Sequence, residues 1–392
     1  MTWAAMTCLA WSILVACAAP GSPQPAPDRV TDRRATEAGA VASSGSAAAD
    51  ATTGRARRDA EVAALVREHV APLVGAAGFP AIEVGVYVGG ESYFVGQGEA
   101  RPGGGPPDDK TLFHVASLTK QYTSLLAALM HVAGEIDVDA PIAACADAAV
   151  KALCGKPATT LRHLLTHSSG LPMVPNDAVG DKSYSSTKLR AYLKRAAPAQ
   201  PPGKAFQYST AGYGVIGMTL AERARKPFEL LLRERVIDPL GSRAVFELDA
   251  ATNARLVQGH RADGKKSDAA PTSPAFVPSG GLICSAADLL RLASVHADPD
   301  LMPEWRKALE LTHEVHAGLR GFRGSAVSPG WHFDARGVYW HLGVASVSRS
   351  TMAFDPVHRI AIVVLGSRSA SLKDTRLEDA AFAILLALAA HQ

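Results

Sequence analysis

Ser117 and Lys120 stand three residues apart in Phe113-His114-Val115-Ala116-Ser117-Leu118-Thr119-Lys120-Gln121, where an apolar-periodic stretch begins that runs on through Tyr122, Leu125, Leu126 and Leu129. On a helix that spacing puts both side chains on one face, a turn apart. A serine hydroxyl is a weak nucleophile until a base takes its proton, and a desolvated amine beside it can do so. Spacing alone does not single out this pair, because Ser185-Ser186-Thr187-Lys188 repeats it. His163 and His167 have the i,i+4 spacing of two zinc ligands, yet Leu164 stands where that motif requires its general-base glutamate. They therefore read as structural.

The elements that must position Ser117 follow from periodicity. Residues 59–74 carry Val62, Leu65 and Val66 at helical spacing, and Ile82, Val84, Val86 and Val88 alternate before Gly89-Gly90 and a return strand at 92–95. That pattern is a helix followed by a β-hairpin. The Ser117 helix ends near Gly134, and a loop-rich, mostly helical region follows. It includes a polar helix at 185–196 and one from about Phe206 to Arg225. Pro278-Ser279-Gly280-Gly281-Leu282-Ile283-Cys284-Ser285 reads as a turn, a short strand and a helix cap, with Cys284 in the core. Strands are expected at 338–343, 350–354 and 360–365, then a terminal helix at 377–390. Strands at both ends with helices between predict an α+β fold: an antiparallel sheet built from both termini, with a helical subdomain (about 135–280) inserted.

The whole chain narrows the function classes. Its 392 residues, 47% hydrophobic and 20% charged, allow a large core, and a net charge of +3 with no basic stripe argues against nucleic acid. No repeat period stands out, and no stretch is long enough to span a membrane. At the N-terminus an apolar run (8–19) contains Leu14-Val15-Ala16-Cys17, which resembles a lipobox, although residues 1–11 carry no Lys or Arg. The expectation is a signal peptide (1–17) lipidated at Cys17, then a disordered tether (18–58) and a catalytic domain (59–392). This places the protein in the bacterial envelope as a periplasmic lipoprotein, with a mild preference for the outer membrane because Ala18 is not aspartate. Cys145 and Cys154 could close a short loop as a disulfide or be two small buried residues, and they lack the partners of a zinc site.

Taken in order, Ser117-x-x-Lys120, His167-Ser168-Ser169-Gly170-Leu171, Tyr208-Ser209-Thr210, Ser279-Gly280-Gly281 and His341-Leu342-Gly343 resemble the serine β-lactamase-related family of class C β-lactamases, D,D-peptidases and β-lactamase-like esterases. The resemblance covers roughly 58–392 and favours Ser117 over Ser185, which has no Tyr-Ser-x element suitably far downstream. It implies an acyl-enzyme on Ser117, with Lys120 as base and Tyr208 relaying protons to the leaving group. It also implies an oxyanion hole made by the backbone N–H groups of Ser117 and Val344. Thr210, His341 and Gly343 fall at substrate-binding positions. Thr210 replaces an asparagine, His341 replaces a lysine with a cation expected mainly below pH ~6.5, and Leu342 replaces a carboxylate-binding hydroxyl. The segment 344–349 lacks glycines. These departures point to esters or small amides and peptides, with β-lactams or D-Ala-D-Ala substrates as the alternative if Arg349 or Arg376 binds a carboxylate. A third reading is a catalytically weak binding or regulatory homologue. No cofactor or metal is called for, and the oligomeric state is not legible.

Overall fold

The computed structural model describes residues 41–75, 77–142 and 158–392. The segment 1–40 with Cys8 and Cys17, and the Cys145 and Cys154 pair, lie outside the described residues. The chain divides into two units, Met1–Gly54 and Arg55–Gln392, and the second carries the features below.

Helix α1 (Val41–Val70) begins well before residue 59, so residues 41–58 are helical rather than tether. The prolines of the N-terminal region all precede residue 28, and the Ala-rich run after them has high helix propensity. From Arg55 on, α1 presents Val62, Val66 and Val70 to the core. Next come β1 (Ala81–Val88) and β2 (Glu91–Gly98), joined through Gly89 and Gly90 at φ 62° and 81°, which a two-residue hairpin of this type requires. Then follow β3 (Phe113–His114), α2 (Thr119–Val132), α3 (Leu161–Leu165), α4 (Ser186–Leu193), α5 (Thr210–Ala224), α6 (Phe228–Leu232), α7 (Ala250–Ala254) and α8 (Val277–Gly280). The chain continues through β4 (Ile283–Cys284), α9 (Ala286–Ala297), α10 (Arg306–His313), β5 (Ala326–Ser328) and β6 (Trp331–Phe333). It closes with β7 (Tyr339–Val344), β8 (Arg349–Asp355), β9 (Ile360–Gly366) and α11 (Arg376–Ala390).

Seven strands form one antiparallel sheet in the order β2-β1-β9-β8-β7-β6-β5, which joins the two ends of the chain as expected. Alternation divides its faces. Ile360, Ile362 and Val364 pack with Val66 of α1 and Leu377 of α11, while Ala361, Val363 and Leu365 join the core that includes Leu125 of α2 and Leu289 of α9. Both faces are covered, so β9 reads as a continuous apolar run. The strands β5 and β6 escaped the periodicity reading because three residues are too few to display a period of two. Cys284 is a buried free thiol, as expected of a core residue.

One strand residue breaks the pattern. Glu83 in β1 is fully buried and neither carboxylate oxygen has a partner. Burial first, then Asp108 and Asp109, pushes its pKa up to about 9. A raised folded-state pKa means the group's stability contribution is fully present below the unfolded value and is lost as pH rises towards 9. Glu83→Gln is therefore expected to stabilise the fold by about 2–4 kcal/mol at pH 8 and to be near neutral at pH 4. Urea unfolding at the two pH values checks this; equal effects at both would contradict it.

Candidate active site

Ser117 lies in a 3-10 turn, Ala116–Leu118, between β3 and α2. The turn is tied down on several sides. The Thr119 hydroxyl donates to Ala116 O (2.7 Å) and accepts from Leu282 N (3.1 Å), and the Ser350 hydroxyl donates to Val115 O (3.1 Å). Gly343 of β7 approaches so closely that a Cβ there would stand 2.1 Å from Val115 O. Only glycine fits. Ala116 is held at φ 46°, a left-handed conformation that costs a non-glycine residue about 1–2 kcal/mol.

Lys120 and Tyr208 converge on the serine oxygen. Lys120 Nζ is 3.0 Å from Ser117 Oγ and donates to the Ser279 carbonyl (2.8 Å) and hydroxyl (2.9 Å), while the Tyr208 hydroxyl donates to Ser117 Oγ at 2.7 Å. Nothing in the sequence reading assigned Ser279 this role, although its Ser-Gly-Gly segment stood out. Lys120 is fully buried with no carboxylate partner among the described residues, and desolvation lowers its pKa well below the usual lysine value. Desolvation raises that of Tyr208, outweighing its bond to Ser117. Both shifts favour the uncharged forms, a neutral amine that can take a proton and a phenol that can give one. Tyr208 also lies under the amine, with Nζ 4.9 Å from its ring centre.

His167 explains how Tyr208 is placed. Helix α3 ends in a Schellman motif, with Ser168 N donating to His163 O (2.7 Å) and His167 N to Leu164 O (3.2 Å). That puts His167 at φ 55°, a position glycine usually fills. A histidine there brackets the tyrosine: its backbone O accepts from Gln207 N (2.7 Å) and its Nδ1 from Ser209 N (3.0 Å). The two rings lie 4.3 Å apart. "Structural" was correct but incomplete, and the sequence signal was a histidine where a helix C-cap favours glycine. His163 caps its own helix, with Nδ1 accepting from Thr160 N (3.1 Å).

The second Ser-x-x-Lys pair does something else. Ser185 is the N-cap of α4, its hydroxyl accepting from Lys188 N (3.3 Å), while Lys188 pairs with Asp181 at 2.6 Å on the surface.

The recognition positions differ from expectation in three respects. His341 is buried, and its Nδ1 lies 2.7 Å from Leu342 O. Because a carbonyl only accepts, Nδ1 carries the proton and Nε2 is bare. Burial, then His332 and Lys120, holds its pKa well below the ordinary histidine value, so the expected cation at mildly acidic pH is replaced by a neutral ring. Leu342 points to the opposite face of β7 from His341 and packs in the α11 core, so its identity takes nothing from the site. Arg349 is buried in an ion pair with Glu378 (2.8 Å), and Arg376 is paired with Asp374 (2.7 Å). Neither arginine is available for a substrate carboxylate. In Glu378 desolvation outweighs the guanidinium and raises the pKa, so this pair organises the core more than it stabilises it. Thr210 opens α5, its N–H donating to Met173 O (2.9 Å), and its hydroxyl joins none of the bonds around Ser117.

Two backbone donors remain. Ala345 N donates to Ser348 O (3.0 Å), closing the β7–β8 hairpin. Ladder bonds alternate, so Gly343 exchanges bonds with Ser350, while Val344, opposite Arg349, turns its N–H away from β8. Strand β6 pairs with β7 only at Tyr339 and Trp340, which leaves that edge open from His341 onward. The Ser117 N–H has no backbone partner among the described residues. Among those residues no group of three or more His, Cys, Asp or Glu side chains is placed to hold a metal ion.

A family model described as Beta-lactamase matches residues 63–387. A β-lactamase from Yersinia enterocolitica is 27% identical over 251 residues, 62% of this chain and 61% of that protein. Penicillin-binding protein 4 of Amycolatopsis lactamdurans is 26% identical over 274 residues, covering 66% and 69% respectively. Esterase EstB of Burkholderia gladioli is 27% identical over 272 residues, covering 59% and 68%. The matches thus span about three fifths to two thirds of these relatives' own lengths. A solved class C β-lactamase in complex with cefoxitin shares the fold, with a TM-score of 0.74 at 20% identity over 84% of this chain and 99% of that one. With fold and family profile agreeing over nearly all of the Arg55–Gln392 unit, this chain belongs to the Beta-lactamase family.

Proposed function

We propose that the protein is a serine hydrolase acting through an acyl-serine intermediate on esters and small amides or peptides. The observation that carries this reading is the convergence of a desolvated amine (3.0 Å) and a phenol (2.7 Å) on Ser117 Oγ. Lys120 takes the hydroxyl proton as Ser117 Oγ attacks the carbonyl carbon. The oxyanion lies between the N–H groups of Ser117 and Val344, donors that typically change the rate by ~10²–10³ each. Tyr208 gives its proton to the leaving oxygen or nitrogen as that bond breaks, and recovers one from Lys120. Water then attacks the acyl-serine by the same path in reverse. A second reading, hydrolysis of β-lactams or D-Ala-D-Ala peptides, is favoured by the names of several relatives. The neutral His341 and the engaged Arg349 and Arg376 weigh against it, because they leave no described cation free for a carboxylate among the recognition residues. The envelope lipoprotein assignment is a proposal on the sequence of residues 14–17 alone.

Reaction with a fluorophosphonate, followed by intact mass and peptide mapping, tests the mechanism. One equivalent on Ser117 is expected, and absence of any adduct refutes the reading. Rates on p-nitrophenyl butyrate, nitrocefin and a D-Ala-D-Ala peptide then rank the substrate classes, with the ester expected to lead.

A further inference from the structure

The side of Ser117 occupied by Tyr208 is built in two aromatic layers. Half-buried at the front are Phe206, Tyr208 and Phe322, with Phe322 5.2 Å from Tyr208 and 5.8 Å from Phe206 between ring centres. Behind them lie buried imidazoles: His332 is 5.0 Å from Phe322 and stacks on His341 at 5.4 Å. Burial pushes the pKa of His332 down to about 3, so this layer is uncharged.

Phe322 is held in place from both sides. A Cβ on Gly321 would stand 2.5 Å from His332 Nδ1, so the backbone is pressed directly onto that ring. Gly321 N donates to Ser325 O (2.8 Å), Arg323 adopts φ 55°, and its guanidinium reaches Asp379 of α11 at 2.9 Å. Arg323 thus pairs with α11, and among the described residues the amine seen against these rings is that of Lys120, whose pKa desolvation lowers.

We propose that Phe322 is a specificity-determining residue, forming with Phe206 and Tyr208 an aromatic wall that selects esters whose leaving alcohol is a flat, uncharged aromatic. This rests on the acyl-serine reading, in which the leaving group must come within hydrogen-bond reach of the Tyr208 hydroxyl. A leaving group there meets ring faces and edges already fixed in position, and ring pairs add to the attraction that area burial alone supplies. The wall residues themselves, two phenylalanines and a phenol, offer a carboxylate no positive charge.

The test compares 1-naphthyl acetate with hexafluoroisopropyl acetate, two esters with the same acyl group and similarly acidic leaving alcohols. In Phe322→Ala, kcat/KM for the naphthyl ester is expected to fall about three- to tenfold relative to the other ester, the size of one aromatic pairing. The inhibition constant of 1-naphthol should rise by a similar factor. Phe322→Tyr should restore both, and Phe322→Leu gives a second truncation should the alanine variant fold poorly. An unchanged ratio, or an equal loss on both esters, overturns the proposal while leaving a Ser117 adduct intact. Loss of the adduct in the unmodified protein refutes instead the mechanism beneath it.

Discussion

Ser117→Ala is expected to lower kcat/KM on any ester substrate by about 10⁴-fold or more and to abolish the fluorophosphonate adduct. The hydroxyl is the one atom on which Lys120 and Tyr208 both converge, so no neighbour can take over the attack. Residual catalysis should be limited to what the backbone donors supply. Stability should change little, since the side chain is only half-buried and leaves behind no buried charge. Ser185→Ala is the matched control. That serine caps α4, and its loss should cost about 1 kcal/mol of stability with activity retained. If Ser117→Ala kept activity within tenfold while Ser185→Ala did not, the nucleophile would be misassigned.

Lys120→Met should slow acylation by about 10²–10⁴-fold, the range for loss of a general base. In the proposed mechanism the base is the neutral amine, so kcat/KM should rise with pH through the lowered lysine pKa, and the variant should lack that limb. A lysine whose folded pKa is depressed contributes stability above its unfolded pKa and loses it as pH falls through the folded value. Methionine removes that penalty but also leaves the Ser279 carbonyl without its donor. The variant is therefore expected to melt no lower than the parent at pH 6, and stopped-flow acylation with parallel thermal melts checks both halves. A pH–rate profile identical to the parent's would assign the titrating base to another group.

Comparison of the two Ser-x-x-Lys segments shows what a pattern can carry. In the first, Lys120 Nζ stands 3.0 Å from Ser117 Oγ, as the spacing predicts; in the second, Ser185 precedes the helix as its N-cap and Lys188 turns to Asp181. They differ in what surrounds the lysine. Lys188 lies half-exposed against Asp181, whereas Lys120 is enclosed by Ser279 and by Tyr208 and Tyr213. Residues from distant parts of the chain create that enclosure. Periodicity could not show it, and the order of downstream motifs only pointed towards it. His341 makes the same point from the other direction. Its ring centre lies 6.1 Å from that of Tyr208, yet its charge depends on burial against His332, in a strand too short for periodicity to reveal.

By itself the sequence determined the sheet built from both termini and the helix that follows Ser117, because local periodicity encodes these, while Lys120 and Tyr208 were picked out by the resemblance of the ordered motifs to a known family. Tertiary structure decided the protonation states, the engagement of Arg349 with Glu378, the bracketing of Tyr208 by His167, and the pinned aromatic wall at Phe322. Each of these depends on desolvation and on contacts between segments far apart in the chain, and neither has a signature in residue spacing.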